Sequence, residues 1–158
     1  MSNPHGPAGI GGWLILPVVG LLAYPLRVVA LLATDFLPMF EGGEWSALTT
    51  PGSPIYHPLW APAIVCEIAG NVGFLAFDLA LLYLLFTKSP RFPAGFIVFA
   101  LLNLLFVSGM VVLVWQITGS AGTTVVELAR GAGVAAVWVP YMLVSKRVRN
   151  TFKAPETN

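Results

Sequence analysis

Four long apolar stretches dominate the pattern of hydrophobic and polar positions along this chain. They cover residues 13–33, 60–86, 93–116 and 124–144, and the third of them contains no charged residue. A helix of about 20 residues is needed to cross a hydrocarbon core about 30 Å thick, and each stretch reaches that length. The pattern therefore predicts four transmembrane helices, with a loop of little regular structure at 34–59 between the first two.

The composition agrees with a chain that lies almost entirely in a membrane. Apolar residues make up 57% of the chain and charged residues only 9%, whereas a soluble domain has about 25% charged residues. Four spans leave no room for a soluble domain in 158 residues. We therefore predict one all-α domain over residues 1–158, a polytopic membrane protein whose four helices form an antiparallel bundle.

Positive charge is distributed unevenly between the connections. Residues 34–59 contain no lysine or arginine but do contain Asp35, Glu41 and Glu44. Short loops rich in lysine and arginine stay in the cytoplasm, so the charges predict cytoplasmic termini, a basic cytoplasmic tail at 145–158 and an outer loop at 34–59. Cationic side chains beside a membrane also attract anionic lipid headgroups, at about 1 kcal/mol each. The residues predicted to set topology or contact lipid are Lys88, Arg91, Lys146, Arg147, Arg149 and Lys153.

Ionisable residues inside the spans need partners. A charged side chain at a helix centre costs about 2.5–3.5 kcal/mol on the insertion scale. From a rise of about 1.5 Å per residue, Arg27, Glu67, Glu127 and Arg130 fall at similar depth in the outer half of the bundle. We predict that they form one neutral cluster, that Arg27 pairs with Glu67 on the next helix, and that Glu127 pairs with Arg130 three residues away.

A polar stripe follows one face of the second span. Glu67, Asn71 and Asp78 lie within roughly 40° of one another at about 100° per residue, and Asn103 is the expected partner of Asn71. Such a stripe faces protein or water rather than lipid, and its role is structural, solute-binding or catalytic. The predicted buried polar cluster comprises Arg27, Glu67, Asn71, Asp78, Asn103, Glu127 and Arg130.

The face of the first span that carries Arg27 is also distinctive. By helical spacing it contains Gly20, Tyr24, Leu31 and Thr34. Small residues such as Gly20 let neighbouring helices approach closely. We expect this face to point into the bundle.

Motifs for catalysis and for metal or cofactor binding are missing from the sequence. His5 and His57 have no nearby cysteine or carboxylate at metal-ligand spacing, and the phosphate-loop, nucleophile-elbow and zinc-protease patterns do not occur. The glycine-rich residues 9–13 precede a span and follow no strand, so we interpret them as a flexible entry. The sequence therefore predicts no enzyme, no cofactor and no metal.

Two terminal motifs carry a resemblance. "GIGGWLILPVVGLLAYPLR" at 9–27 and "VWVPYMLVSKRVRNTFK" at 137–153, with "PLW" at 58–60 and "KSPRFP" at 88–93 between them, resemble the uncharacterised bacterial inner-membrane family called domain of unknown function 2569. The resemblance implies a four-helix, multi-pass protein of the bacterial inner membrane and implies little about activity. The family-like positions are Gly11, Gly12, Trp13, Pro17, Gly20, Pro25, Glu67, Asn71, Trp138, Pro140, Tyr141, Lys146, Arg147, Asn150 and Phe152.

Two functional hypotheses remain from the sequence. The first is a non-enzymatic accessory or scaffolding subunit of a membrane complex, favoured by small size and the lack of cofactor ligands. The alternative is a small solute or ion transporter or channel that acts as a homo-oligomer through the buried polar cluster. The expected partners are the lipid bilayer and either a different membrane protein or further copies of this chain. Nucleic acid is not expected, because topology already explains the few cations.

Overall fold

The computed structural model describes residues 8–120 and 122–153. The predictions for His5 and for the tail beyond Lys153 lie outside these residues. Within them the chain is helical and contains no strand. A 3₁₀ turn, Gly12–Leu14, leads into the first helix, and a π-helical segment, Leu32–Phe36, joins it to the second. The α-helices are α1 Ile15–Leu31, α2 Leu37–Glu41, α3 Glu44–Thr49, α4 Trp60–Phe86, α5 Phe92–Thr118, α6 Thr124–Val144 and α7 Lys146–Thr151.

Three helical stretches are long and apolar enough to cross a membrane, namely Gly12–Glu41, Trp60–Phe86 and Phe92–Thr118. Many of their large apolar side chains point away from the protein, as lipid contact requires; Leu26 and Leu105 are 74% and 69% exposed. These features indicate a multi-pass membrane protein.

The fourth predicted span coincides with α6, which has 21 residues. This helix is less apolar than the other three, because it contains Glu127 and Arg130 and many small residues. Its length suffices for a span, and its crossing of the membrane stays a prediction.

The helices pack in the order α1 on α4, α4 on α5 and α5 on α6, whereas α1 and α6 have little backbone contact with each other. At the end of the molecule where α1 begins, apolar side chains from five helices form one cluster, which we call the terminal core. Its buried members are Leu14, Val18, Leu21, Leu81, Leu85, Phe92, Phe96, Met142, Val148 and Phe152.

The opposite end, here called the loop end, has a second cluster. Phe36 and Met39 pack with Ile64, and Trp45 of α3 covers them. The prediction of little regular structure at 34–59 is therefore wrong over its first half. The apolar side chains of the π segment and α2 bury themselves against α4, and this burial keeps the chain helical to Glu41.

A glycine of α4 permits close packing at the α4–α5 interface. A β-carbon placed on Gly70 would collide with the ring of Phe106. Deeper in the same interface Phe99 makes edge-to-face contacts with Phe74 and Phe77, at ring centroid distances of 5.7 and 5.5 Å. Tyr24 of α1 contacts the same ring at 5.7 Å. This aromatic group fixes the spacing of the three helices where they line the site described below.

The glycine-rich entry at 9–13 packs against Arg147 of α7. The Arg147 guanidinium lies against Gly11 and Gly12 and donates to the carbonyl oxygens of Ala8 and Gly9, at 3.4 and 3.5 Å. A β-carbon on Gly11 would lie 3.1 Å from Nη1 of that arginine. Where the sequence predicts a flexible entry, the missing β-carbons make room for a cation from α7. The two terminal sequence motifs therefore meet in space.

Candidate functional site

A cavity of about 480 Å³ lies among α1, α4, α5 and α6. Each of the helices contributes at least one polar side chain to its wall. Every member of the buried polar cluster predicted from the sequence lines this cavity: Arg27, Glu67, Asn71, Asp78, Asn103, Glu127 and Arg130. The structure thus brings together positions that are up to about 100 residues apart, and whether they act on a solute stays a prediction.

Three charged side chains on the cavity wall are linked by two ion pairs. The Arg27 guanidinium donates to one oxygen of Glu127 at 2.6 Å, and Arg130 donates to the other at 2.7 Å. The side chains of Arg27 and Arg130 remain 56% and 58% exposed, and that of Glu127 38%. The predicted Glu127–Arg130 pair is present, and the same carboxylate also joins α6 to α1.

The predicted pairing of Arg27 with Glu67 is wrong, because the two side chains lie at different depths. Leu31 packs in the loop-end cluster with Ile64 and Ile68, which flank Glu67 along α4. Glu67 is therefore level with Leu31, about one helical turn nearer the loop end than Arg27. The depth assigned from the sequence was wrong because α1 continues through the π segment and α2 instead of ending near residue 33.

The amide of Asn71 bonds within its own helix. Its nitrogen donates to the Glu67 carbonyl at 2.9 Å, so the expected bond to Asn103 is replaced by a local one. Among the described residues, no ion pair joins Glu67 to a cation. The cavity thus has polar groups whose hydrogen-bonding capacity is not used up by other side chains.

Asp78 is the most unusual member of the cluster. It lies on α4 between the loop end and the terminal core, and it is completely buried. Neither carboxylate oxygen has a hydrogen-bond partner within the described part of the chain. A buried polar group without a partner costs about 1–3 kcal/mol by protein mutational data, so a folded protein rarely keeps one that serves packing alone.

Sequence reasoning missed Asp35, which lines the cavity, and expected Thr34 on that face instead. The π segment explains the exchange. A π turn contains about one residue more than an α turn, so the residue four after Leu31 takes the inward position. Thr34 is exposed, and its hydroxyl can donate either to the Ala30 carbonyl at 2.9 Å or to the Asp35 carboxylate at 2.7 Å. No feature of the sequence around 32–36 predicts this shift.

The cavity wall also contains aromatic side chains that were not assigned to a site. Tyr24, Phe99 and Trp138 all line it. Tyr24 could have been found, since helical spacing places it on the Arg27 face. Phe99 and Trp138 could not, because an aromatic residue in an apolar span carries no signal that separates a cavity wall from a lipid contact.

The predicted topology and lipid-contacting residues all lie at the terminal end. Lys88, Arg91 and Lys153 line a shared groove, Lys146 and Arg149 are exposed, and Arg147 is half-buried against the glycine-rich entry. The tail is thus a docked helix through Thr151, with Val148 and Phe152 buried in the terminal core.

Among residues 8–120 and 122–153 no three histidine, cysteine, aspartate or glutamate side chains are grouped so that they could hold a metal ion. The site offers guanidinium and amide donors, carboxylate acceptors and aromatic faces. That arrangement suits non-covalent binding of a small molecule that carries polar groups.

The fold and the site define a multi-pass membrane protein with a polar cavity inside its helices. The model of the family described as "Protein of unknown function (DUF2569)" matches residues 7–153, so the chain belongs to that family. The resemblance stated from the two terminal motifs is confirmed. No curated protein and no solved structure matches the chain.

Proposed function

We propose that this chain binds a small polar solute in the cavity and carries it across a bacterial inner membrane as a non-enzymatic transporter. The observation that carries the proposal is the convergence of polar side chains from α1, α4, α5 and α6 on one cavity. Ionisable groups at membrane depth are costly and typically mark the route of a solute or ion. A volume of about 480 Å³ also falls within the range of small-molecule sites.

The proposed topology has four spans and cytoplasmic termini, so the loop end faces the periplasm. Asp35 and Glu67 supply the polar part of the wall nearest that side, and Arg27 lies about one helical turn further in. The terminal core fills the space between the cavity and the cytoplasmic end. We propose that this is the state of a carrier that takes up solute from the outside and is closed toward the inside.

Water in the cavity is the first testable requirement. In a Cys66→Ala background, Asn103→Cys on the cavity wall should react quickly with a charged methanethiosulfonate reagent, since such reagents need a hydrated thiolate. Leu105→Cys, two residues along the same helix and 69% exposed on the outer surface, is the matched control. It should react slowly, because lipid excludes both water and the reagent. Equal labelling at the two positions, or none at Asn103→Cys, would contradict a hydrated cavity.

Solute passage is the second requirement. Proteoliposomes should shrink and re-swell faster than empty vesicles in at least one of glycerol, urea, glycine or proline. Val134 lines the cavity, and Val134→Phe, whose larger side chain occupies part of it, should return the rate to that of empty vesicles. Val137→Phe, three residues on and 58% exposed outside the cavity, should not. Rates equal to those of empty vesicles for all four solutes would argue against carriage of this solute class.

The accessory-subunit hypothesis stays the alternative, and purification separates the two. A carrier is expected to elute from a mild-detergent column alone or as a homo-oligomer of fixed size. A scaffold is expected to retain a different membrane protein at a constant ratio. The second outcome, together with slow labelling of Asn103→Cys, would favour the scaffold.

A further inference from the structure

A groove at the terminal end, on the far side of the terminal core from the cavity, gathers cations from distant parts of the sequence. It lies between the α4–α5 connection and the last described residues, and Lys88, Arg91 and Lys153 line it. We call it the terminal groove. Two of these cations come from the short α4–α5 connection and the third from beyond α7, so the groove exists only because the tail docks.

A contact between two aromatic rings docks the segment that carries the third cation. The Phe152 ring lies on the Phe92 ring at the start of α5, with centroids 4.7 Å apart and an interplanar angle of 31°. Phe152 and Phe92 are 5% and 0% exposed. Lys153 follows directly and lines the same groove as Arg91.

The groove has no acidic side chain among its lining residues. In the described part of the chain, Glu127 is the acidic partner in both ion pairs. Neither pair involves Lys88, Arg91 or Lys153. Three positive charges that have no counter-charge among the described residues create a strong local potential for an anion.

The wall of the groove is apolar on the side toward the membrane. Tyr83 and Leu84, in the last turn of α4, form that wall, and Tyr83 is 69% exposed. The two helices that meet here, α4 and α5, are both long and apolar enough to cross a membrane, so their connection lies at a membrane surface. An apolar wall below a cationic rim matches the polarity of a phospholipid, with acyl chains below and phosphate above.

The backbone at the rim is strained. Lys88 has φ of 51°, a left-handed conformation that side chains other than glycine adopt at a cost of about 1 kcal/mol or more. It ends α4 by donating its N–H to the Leu85 carbonyl at 3.0 Å. Glycine would make this turn without strain, so the lysine is explained by its charge rather than by the turn.

We propose that the terminal groove is a specific site for the headgroup phosphate of an anionic phospholipid. Lys88, Arg91 and Lys153 contact the phosphate, and Tyr83 and Leu84 contact the glycerol and the first methylenes of an acyl chain. Arg147 has no part in it, because its guanidinium is held by the glycine-rich entry. The site is independent of the solute cavity and of any transport.

The test compares lipid retention by native mass spectrometry of the full chain. Dioleoyl phosphatidylglycerol and dioleoyl phosphatidylcholine, which share acyl chains, are the probes. Wild type should retain phosphatidylglycerol preferentially. The double variant Lys88→Gln/Lys153→Gln should lose about 30-fold in apparent affinity, from about 1 kcal/mol per cation.

The control removes two charges from the same tail but outside the groove. Lys146→Gln/Arg149→Gln changes exposed residues of α7 and should retain phosphatidylglycerol almost as wild type does. Equal losses in the two double variants would show general charge attraction and overturn the site. Lack of preference for phosphatidylglycerol in wild type would overturn it as well.

A competition experiment distinguishes a lipid from a soluble phosphate ester as the ligand of the groove. Glycerol-3-phosphate at the same concentration should displace little phosphatidylglycerol, because it lacks the acyl methylenes that contact Tyr83 and Leu84. Full displacement would assign the groove to a soluble phosphate ester instead. If the double variant does not fold, the single variants Lys153→Gln and Arg149→Gln provide the same comparison, with retention expected to fall only in the first.

Discussion

The Arg27 guanidinium lies 2.6 Å from the Glu127 carboxylate and joins α1 to α6, two helices whose backbones hardly touch. The other oxygen of that carboxylate holds Arg130 at 2.7 Å. One acidic side chain therefore serves two cations, and it is the charged group on which the α1–α6 side of the cavity depends.

Loss of Glu127 should harm the protein more than loss of Arg27. Glu127→Leu removes the ion-pair partner of both Arg27 and Arg130, whereas Arg27→Leu leaves the Glu127–Arg130 pair intact. Because these side chains are partly exposed, we expect Glu127→Leu to cost on the order of 2 kcal/mol and Arg27→Leu less than half of that. Thermal unfolding in detergent measures both.

The double variant and a neighbouring carboxylate complete this test. Arg27→Leu/Glu127→Leu should be milder than the sum of the single changes, because only Arg130 remains unpaired. Glu67→Leu should show no coupling to Arg27→Leu. Strong coupling between Arg27 and Glu67 would mean that the ion pair found here is not the one that stabilises the protein in a membrane.

Asp78 should be a position where stability and function oppose each other. Its carboxyl group is fully buried without a hydrogen-bond partner among the described residues. Asp78→Leu should therefore raise the free energy of unfolding by about 1–3 kcal/mol while it lowers solute flux in proteoliposomes. Such a trade-off is common where a strained group serves a site.

Asp35→Leu is the control for that experiment. Asp35 also lines the cavity but is exposed, so its removal should change stability by less than about 0.5 kcal/mol. If Asp78→Leu instead destabilises the protein, the carboxyl group has a partner that binds it in the membrane.

Sequence reasoning located the long helices and the Glu127–Arg130 pair, and it failed on the Arg27–Glu67 and Asn71–Asn103 pairs. Apolar length determines where helices form, and polar residues inside apolar spans must avoid lipid; both constraints are visible in one sequence. Which carboxylate meets Arg27 depends on how far α1 continues past residue 33. That continuation depends on burial of Phe36 and Met39 against Ile64, a contact between segments that a sequence pattern does not reveal.

The contact of the glycine-rich entry with Arg147 was missed for a related reason. Glycine in a sequence predicts freedom of the backbone and also permits close approach, and only the partner distinguishes the two. Here Gly12 has φ of 55° and the Arg147 side chain lies 3.4 Å from the position of its missing β-carbon. The partner comes from the opposite end of the chain.

Gly12→Ala should therefore destabilise the terminal end by about 1–2 kcal/mol, from the strain of a left-handed alanine and displacement of Arg147. Gly20→Ala is the control, since Gly20 lies within α1 and has open space around it. It should leave the melting temperature unchanged or raise it. Equal effects of the two changes would show that the contact with Arg147 contributes nothing.

The proposed topology rests on α6 crossing the membrane, and two reporters decide it. Alkaline phosphatase inserted after Gly52 or after Ser120 should be active, because it folds only outside the cytoplasm. Green fluorescent protein attached after Lys153 should fluoresce, because it matures inside. A dark fusion after Lys153 with an active insertion after Ser120 would place both ends of α6 on one side and reduce the protein to three spans.

The α4–α5 interface offers the sharpest test of packing, because two glycines three residues apart in α4 differ in their surroundings. A β-carbon on Gly70 would collide with the Phe106 ring, whereas one on Gly73 would meet nothing within 4 Å. Gly70→Ala should push the helices apart or force Phe106 out of its position, at a cost of about 1–3 kcal/mol. Gly73→Ala should be neutral or stabilising by up to about 1 kcal/mol, because alanine is the better helix former.

Phe106→Leu combined with Gly70→Ala should recover part of the loss, since the smaller side chain makes room for the added methyl group. Thermal unfolding of the four proteins in one detergent measures these differences, and a Gly70→Ala variant as stable as Gly73→Ala would contradict the close approach of α4 and α5 at this point.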